Sequence, residues 1–223
     1  MTTKNLLFIA AFFSIVGWGP FVTSSTSSPI LAQEKTISAQ ASNLDSEVLR
    51  VSLTAYQKAR QEGLDQKQML TIIDYSKPSN ERRLWVVDMR TQKVLFNTYV
   101  THGRNSGELN ATSFSNDVNS LKSSIGVFIT TNAYSGSDGY SLRLQGLEPG
   151  VNDNAYRRNI VFHGAWYAGA DVAEQRGVLG RSWGCMAVGQ NEIRPLVNTI
   201  KNHTLVVAYY PDRSWLRRSS FLT

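Results

Sequence analysis

The chain has 223 residues, 42% of them apolar and 18% charged, with a formal net charge of +6. That length and balance support a globular body with a real core and exclude a low-complexity or fibrous chain. Lysines and arginines are spread along the sequence with no dense basic block, which argues against a nucleic-acid-binding arm; the positive charge suits an anionic extracellular polymer such as a bacterial wall, and equally well serves solubility alone.

In chain order, Lys4 precedes an apolar run from Leu6 to Val22, broken by Gly17, Gly19 and Pro20, and a Ser/Thr-rich stretch leads to Ile30-Leu31-Ala32. This reads as an export signal over residues 1–32, cleaved after Ala32. The run falls slightly short of the ~20 residues that span a bilayer, so cleavage is favoured over retention as an anchor. Residues 33 to about 44 are polar, without aromatics, and read as a disordered lead. Asp45-Ser46 caps a helix carrying Val48, Val51, Ala55 and Ala59 at helical spacing, which Gly63 stops. A second short helix is expected from Asp65 through Met69, Leu70 and Ile73, so that residues 33–73 comprise the disordered lead and a helical preface.

Residues 74–223 form the expected main domain. Leu84-Trp85-Val86-Val87 and Val94-Leu95-Phe96, continuing to Val100, predict a hairpin. Gly, Ser and Asn dominate residues 103–124, a long loop of the kind that is usually functional. Strands are predicted at Gly126–Thr130, Leu142–Leu144, Asn159–Phe162 and Thr204–Tyr210, and a helix through Ile193, Leu196, Val197 and Ile200, with Pro195 in its first turn. The fold class that follows is mainly β, a sandwich or partial barrel with an N-terminal helical preface and one C-terminal helix.

Cys185 is the only cysteine. An exported chain with one thiol makes no intramolecular disulfide, so a lone cysteine in Gly180-Arg181-Ser182-Trp183-Gly184-Cys185 reads as a nucleophile rather than a structural residue. The glycines let backbone N–H groups turn towards a developing oxyanion, and the amides of Gly184 and Cys185 are the candidate donors. A thiol needs a base or a lowered pKa. His163, ending an apolar strand before Gly164, is the first candidate; His102, in Thr101-His102-Gly103, is second; His203, in a turn, is third. Arg181 suits a substrate carboxylate, or else pairs with a nearby acid. Ser182 orders the turn or donates to substrate, and Trp183 walls the cleft or fills the core. A metal site is disfavoured, because no HxxxH or CxxC spacing exists among the three histidines and the cysteine.

As a set, these motifs resemble the murein L,D-transpeptidase catalytic domain-like family, a variant branch of the YkuD type. The resemblance rests on His163-Gly164 followed by Ser182-Trp183-Gly184-Cys185, together with Thr101-His102-Gly103, Ser106-Gly107, Phe114-Ser115-Asn116, Ser124-Ile125-Gly126, Tyr140–Leu144, Gly146-Leu147, Asn152-Asp153-Asn154-Ala155 and Arg158. It implies that Cys185 attacks the carbonyl between an L-centre and a D-residue of a peptidoglycan stem, with His163 as base, Gly184 at the nucleophile turn, and Gly164, Arg181, Ser182, Trp183 and His102 towards substrate. It further implies peripheral association with the wall, in the periplasm or outside the cell, and no metal or organic cofactor. Two positions depart from the pattern: Trp183 stands where the best-known members carry histidine, and Met186 where this branch commonly has proline. A cysteine hydrolase on the same scaffold and a non-catalytic wall-binding protein are the alternatives.

Overall fold

The strand Met69–Asp74 (β1) sits between two partners, antiparallel β2 (Leu84–Asp88) and parallel β8 (Leu205–Tyr209). These belong to an eight-stranded sheet in the computed structural model, which describes residues 29–223. The full order is β3-β2-β1-β8-β4-β5-β6-β7, where β3 is Lys93–Thr98, β4 Gly126–Gly136, β5 Gly139–Gly146, β6 Val161–Ala165 and β7 Met186–Gly189. The helix expected from Asp65 to Ile73 is therefore β1. Its apolar residues matched a helical face, but Leu70, Ile72 and Ile73 are all fully buried between neighbouring strands. A short apolar run carries no periodicity that separates the two states.

The sheet nearly closes on itself. Beyond β3, Thr101 N–H donates to Ala187 O at 2.9 Å, Ser182 N–H to His102 O at 3.0 Å and Arg104 N–H to Ser182 O at 2.8 Å. The continuation of one edge strand thus runs beside the other edge and uses backbone groups that would otherwise stay unpaired. The barrel seam lies at the turn that carries Cys185.

Helix α2 (Ser46–Gln61) is capped by Asp45, whose carboxylate accepts from the amides of Glu47 and Val48, and it packs its apolar face on β8 and β1. Helix α1 (Pro29–Ser38) precedes it. The expected disordered lead is thus partly helical: Ile37 is fully buried, and the Gln40 side chain bonds Val94 N–H and Gln92 O. One buried apolar residue, and one amide bonded to Gln92 and Val94, anchor a segment whose composition reads as polar. Residues 1–28 of the expected signal lie outside the described residues, and its expected cleavage point falls inside α1. Among the described residues no helix is long and apolar enough to cross a membrane.

Helix α4 (Ile193–Ile200) covers β5 and β6. Two further helices were not expected: α3 (Ala170–Arg176), and α5 (Arg213–Arg218), so the single C-terminal helix becomes two. Trp215 of α5 is buried and donates its Nε1–H to the buried carboxylate of Glu148, which also takes Val127 N–H at 2.7 Å.

Candidate active site

Two neighbouring parallel strands bring the chemistry together. In the β6–β7 ladder Phe162 faces Met186 and His163 faces Ala187. Side chains alternate along strands, so Cys185, one residue before β7, shares a face with Ala187 and His163. The chain reaches this position through Gly184, whose φ of +123° is a region other residues rarely adopt; a Cβ there would stand 2.7 Å from Lys122 O.

Ser182 is almost fully buried and spends its hydroxyl on the turn. It accepts the Gly184 amide at 3.1 Å and donates to Cys185 O at 2.6 Å. Its ordering role is therefore the one observed. The Gly184 amide is also taken, which leaves the Cys185 amide as the one candidate oxyanion donor of the expected pair.

The long loop over 103–124 supports this turn from beneath. Ser123 Oγ accepts from Gly103 N–H at 2.9 Å and donates to Gly184 O at 3.4 Å. Arg158 anchors the same loop, donating to Ser115 O (2.6 Å), Ser124 Oγ (2.5 Å), Ser120 Oγ (3.1 Å) and Lys122 O (2.6 Å). All four acceptors are neutral, so its charge is not cancelled by an acid in contact.

The Cys185 thiol is half-buried and donates to Asn159 O at 3.4 Å. Burial pushes it up to about 11, against the opposing pull of the Val161 backbone N–H and the Arg158 charge. The resting group is accordingly a thiol at neutral pH, and attack requires a base. The His163 ring donates Nδ1–H to Gly164 O at 3.2 Å, which leaves the Nε2 lone pair free.

His102 is not an alternative base, nor does it face substrate. It is 1% exposed, and both ring nitrogens are occupied: Arg83 donates to Nδ1 at 2.8 Å, and Nε2–H donates to Gly107 O at 3.2 Å. Burial, and then the Arg83 charge, lower its pKa to about 4. The Gly164 carbonyl orients the His163 ring, and a Cβ on Gly164 would meet Ile193 of α4 at 2.8 Å. Arg181 pairs with Glu108 at 2.6 Å, the simpler of its two readings. Trp183 is 73% exposed and walls two clefts rather than the core. His203 is exposed in the turn before β8.

The sequence reading did not single out Ser123, Arg83 or Tyr167, and it met Arg158 only within the resemblance. Each acts through contacts with residues distant in the chain, and none lies in a local pattern. Tyr167 follows β6 in a 3₁₀ turn (Trp166–Ala168) and packs on Gly180, where a Cβ would stand 2.5 Å away. Among the described residues no cluster of three His, Cys, Asp or Glu side chains is placed to hold a metal ion.

A family model described as L,D-transpeptidase catalytic domain matches residues 40–209. The chain belongs to that family. The match begins well before residue 74 and takes in α2 and β1, as their packing on the sheet requires. The mainly β, partly closed architecture is the one the resemblance implied. No match was found among curated proteins.

Solved structures similar to the chain include an L,D-transpeptidase from Mycobacterium smegmatis (11% identity, TM-score 0.40, 64% of this chain and 59% of that one). Another is an L,D-transpeptidase from Stackebrandtia nassauensis (12% identity, TM-score 0.39, 81% of this chain and 92% of that one). A third is L,D-transpeptidase 1 of Mycobacterium tuberculosis (10% identity, TM-score 0.36, 64% of this chain and 62% of that one). The chain thus spans about three fifths of the mycobacterial proteins it matches. These likenesses are distant; family membership rests on the family model.

Proposed function

We propose that this chain is an exported acyltransferase that joins peptidoglycan stem peptides through a Cys185 thioester. The observation that carries the reading is the β6–β7 pairing, which sets His163, with its Nε2 free, on the same face as the only thiol.

Cys185 Sγ attacks the carbonyl between the L-centre and the D-residue of a tetrapeptide stem while His163 Nε2 takes the thiol proton. The oxyanion accepts from the Cys185 amide. The C–N bond then breaks, and the imidazolium returns its proton to the departing D-amino acid. The amine of a second stem attacks the thioester, His163 takes its proton, and the C–S bond breaks to restore the thiol. Each step uses only protein groups and the two stems.

The raised thiol pKa favours proton transfer during attack over a preformed ion pair. The test is incubation with disaccharide-tetrapeptide and mass spectrometry of the products. A crosslinked dimer is expected; a trimmed tripeptide alone would make the protein a hydrolase, and no Cys185-dependent product would remove the reading.

A further inference from the structure

A cavity of about 340 Å³ lies on one side of Trp183, and its lining includes Arg104, Glu108, Arg176 and Arg181. It belongs to no element of the chemistry above, although the turn that supplies Arg181 and Trp183 runs directly into Cys185. Three guanidiniums face one carboxylate there, and that carboxylate is already held by Arg181. The remaining charge favours an anionic occupant.

The rim has a second property. Trp183 and Trp166 are 73% and 67% exposed, the two most exposed large apolar side chains among the described residues. Trp183 lines the cavity, and Trp166 adjoins it through two neighbours. Arg176, which lines the cavity, lies over the Trp166 ring with its Cζ 5.5 Å from the centroid. Tyr167, edge-on to Trp166, packs on Gly180, which also lines the cavity. Trp183 is thus part of a basic cleft, and Trp166 stands beside it, held by Arg176 and Tyr167, with most of each indole left to solvent. Exposed aromatic faces beside guanidiniums are binding surfaces for ligands with an apolar face and polar edges. A pyranose ring presents that combination of C–H face and hydroxyl edge.

We infer that the Trp183–Trp166 cleft is a glycan subsite, which takes the N-acetylated amino-sugar disaccharide of the substrate while Arg104 and Arg176 hold a carboxylate of the attached stem. The inference rests on the proposed transpeptidase reading and deepens it. The protein selects a stem still carried on its glycan over the free peptide, because the sugar and the scissile bond are gripped at the two ends of one turn.

The test compares kcat/KM for disaccharide-tetrapeptide and for the free tetrapeptide. The native chain is expected to prefer the disaccharide substrate by about tenfold or more, as one desolvated aromatic anchor supplies. Trp166→Ala collapses that ratio towards one, whereas Arg176→Gln lowers kcat/KM for both substrates, since both carry the stem carboxylate. Both side chains are exposed, and an unchanged unfolding temperature certifies the fold. Equal turnover of the two substrates by the native chain, a ratio that Trp166→Ala does not move, or undiminished turnover of both substrates by Arg176→Gln overturns the subsite and leaves the transpeptidase reading standing. Turnover of neither substrate fails the transpeptidase reading instead. The subsite is then read separately, from tryptophan fluorescence of Cys185→Ser protein titrated with the peptide-free disaccharide. A saturable change that Trp166→Ala removes supports it, and no change up to millimolar sugar overturns it.

Discussion

The Arg83 guanidinium donates to Nδ1 of His102 at 2.8 Å, with both side chains buried. An arginine cannot accept, so the ring is fixed as the Nε2–H tautomer and held neutral. Of the two histidines that follow strand-like runs and precede a glycine, this contact removes one from proton transfer and leaves His163.

The same contact sets a pH dependence of stability. The folded His102 pKa is about 4, below the ordinary histidine value of 6.5. As pH falls through 6.5 the unfolded chain gains a proton that the folded ring refuses. Stability is expected to decline between pH 6.5 and about 4, at up to about 1.4 kcal/mol per pH unit, and to level off below that as far as this group is concerned. Denaturant unfolding of the native chain and of His102→Gln checks it: the difference between the two should lose its slope above pH 6.5.

With the thiol pushed up to about 11, iodoacetamide alkylation of Cys185 should rise steeply, by about tenfold per pH unit from pH 7 to 10. His163→Ala should keep this slope yet cut turnover by about 10²-fold or more, because the base acts during attack rather than on the resting thiol. A plateau in alkylation near pH 6–7 would instead mean a standing thiolate–imidazolium pair.

Gly184→Ala should abolish turnover. The φ of +123° and the 2.7 Å approach of Lys122 O leave no room for a methyl group, so the turn must rearrange and move the Cys185 amide. Circular dichroism with a thioester-trapping assay separates a rearranged turn from a lost fold.

Arg158→Met should cost about 2 kcal/mol or more in thermal or denaturant unfolding, since it leaves carbonyls of Ser115 and Lys122 without their charged donor. Alkylation of Cys185 should also slow at a fixed pH, because the cation that favours its thiolate is gone. Unchanged rates would mean that Arg158 acts on the loop alone.

Much of the fold was legible wherever the signal is local. The β2–β3 hairpin follows from two β-rich runs around Asp88–Lys93, whereas its register, which shifts between Val86 and Val87, has no mark in the local pattern. The Asp45 cap and the Val48-Val51-Ala55-Ala59 stripe placed α2. By contrast β1 was misread, because Met69–Ile73 is short and mostly apolar and only its pairing with Val207 and Trp85 on either side makes it a strand. Helix α1 was missed because Ile37 finds its burial in other parts of the chain.

The sequence by itself determined the inventory of chemistry: one thiol, three histidines and a glycine before the thiol, since residue type and spacing are properties of the chain alone. Tertiary structure decided how each group is used. Burial and long-range partners set protonation and occupancy, so Arg83 neutralised His102, Ser182 took the Gly184 amide, Glu108 took Arg181, and the β6–β7 register put His163 on the face of Cys185. Desolvation and hydrogen bonding between residues far apart in sequence leave no mark in local composition, and only the closed sheet brings those partners into contact.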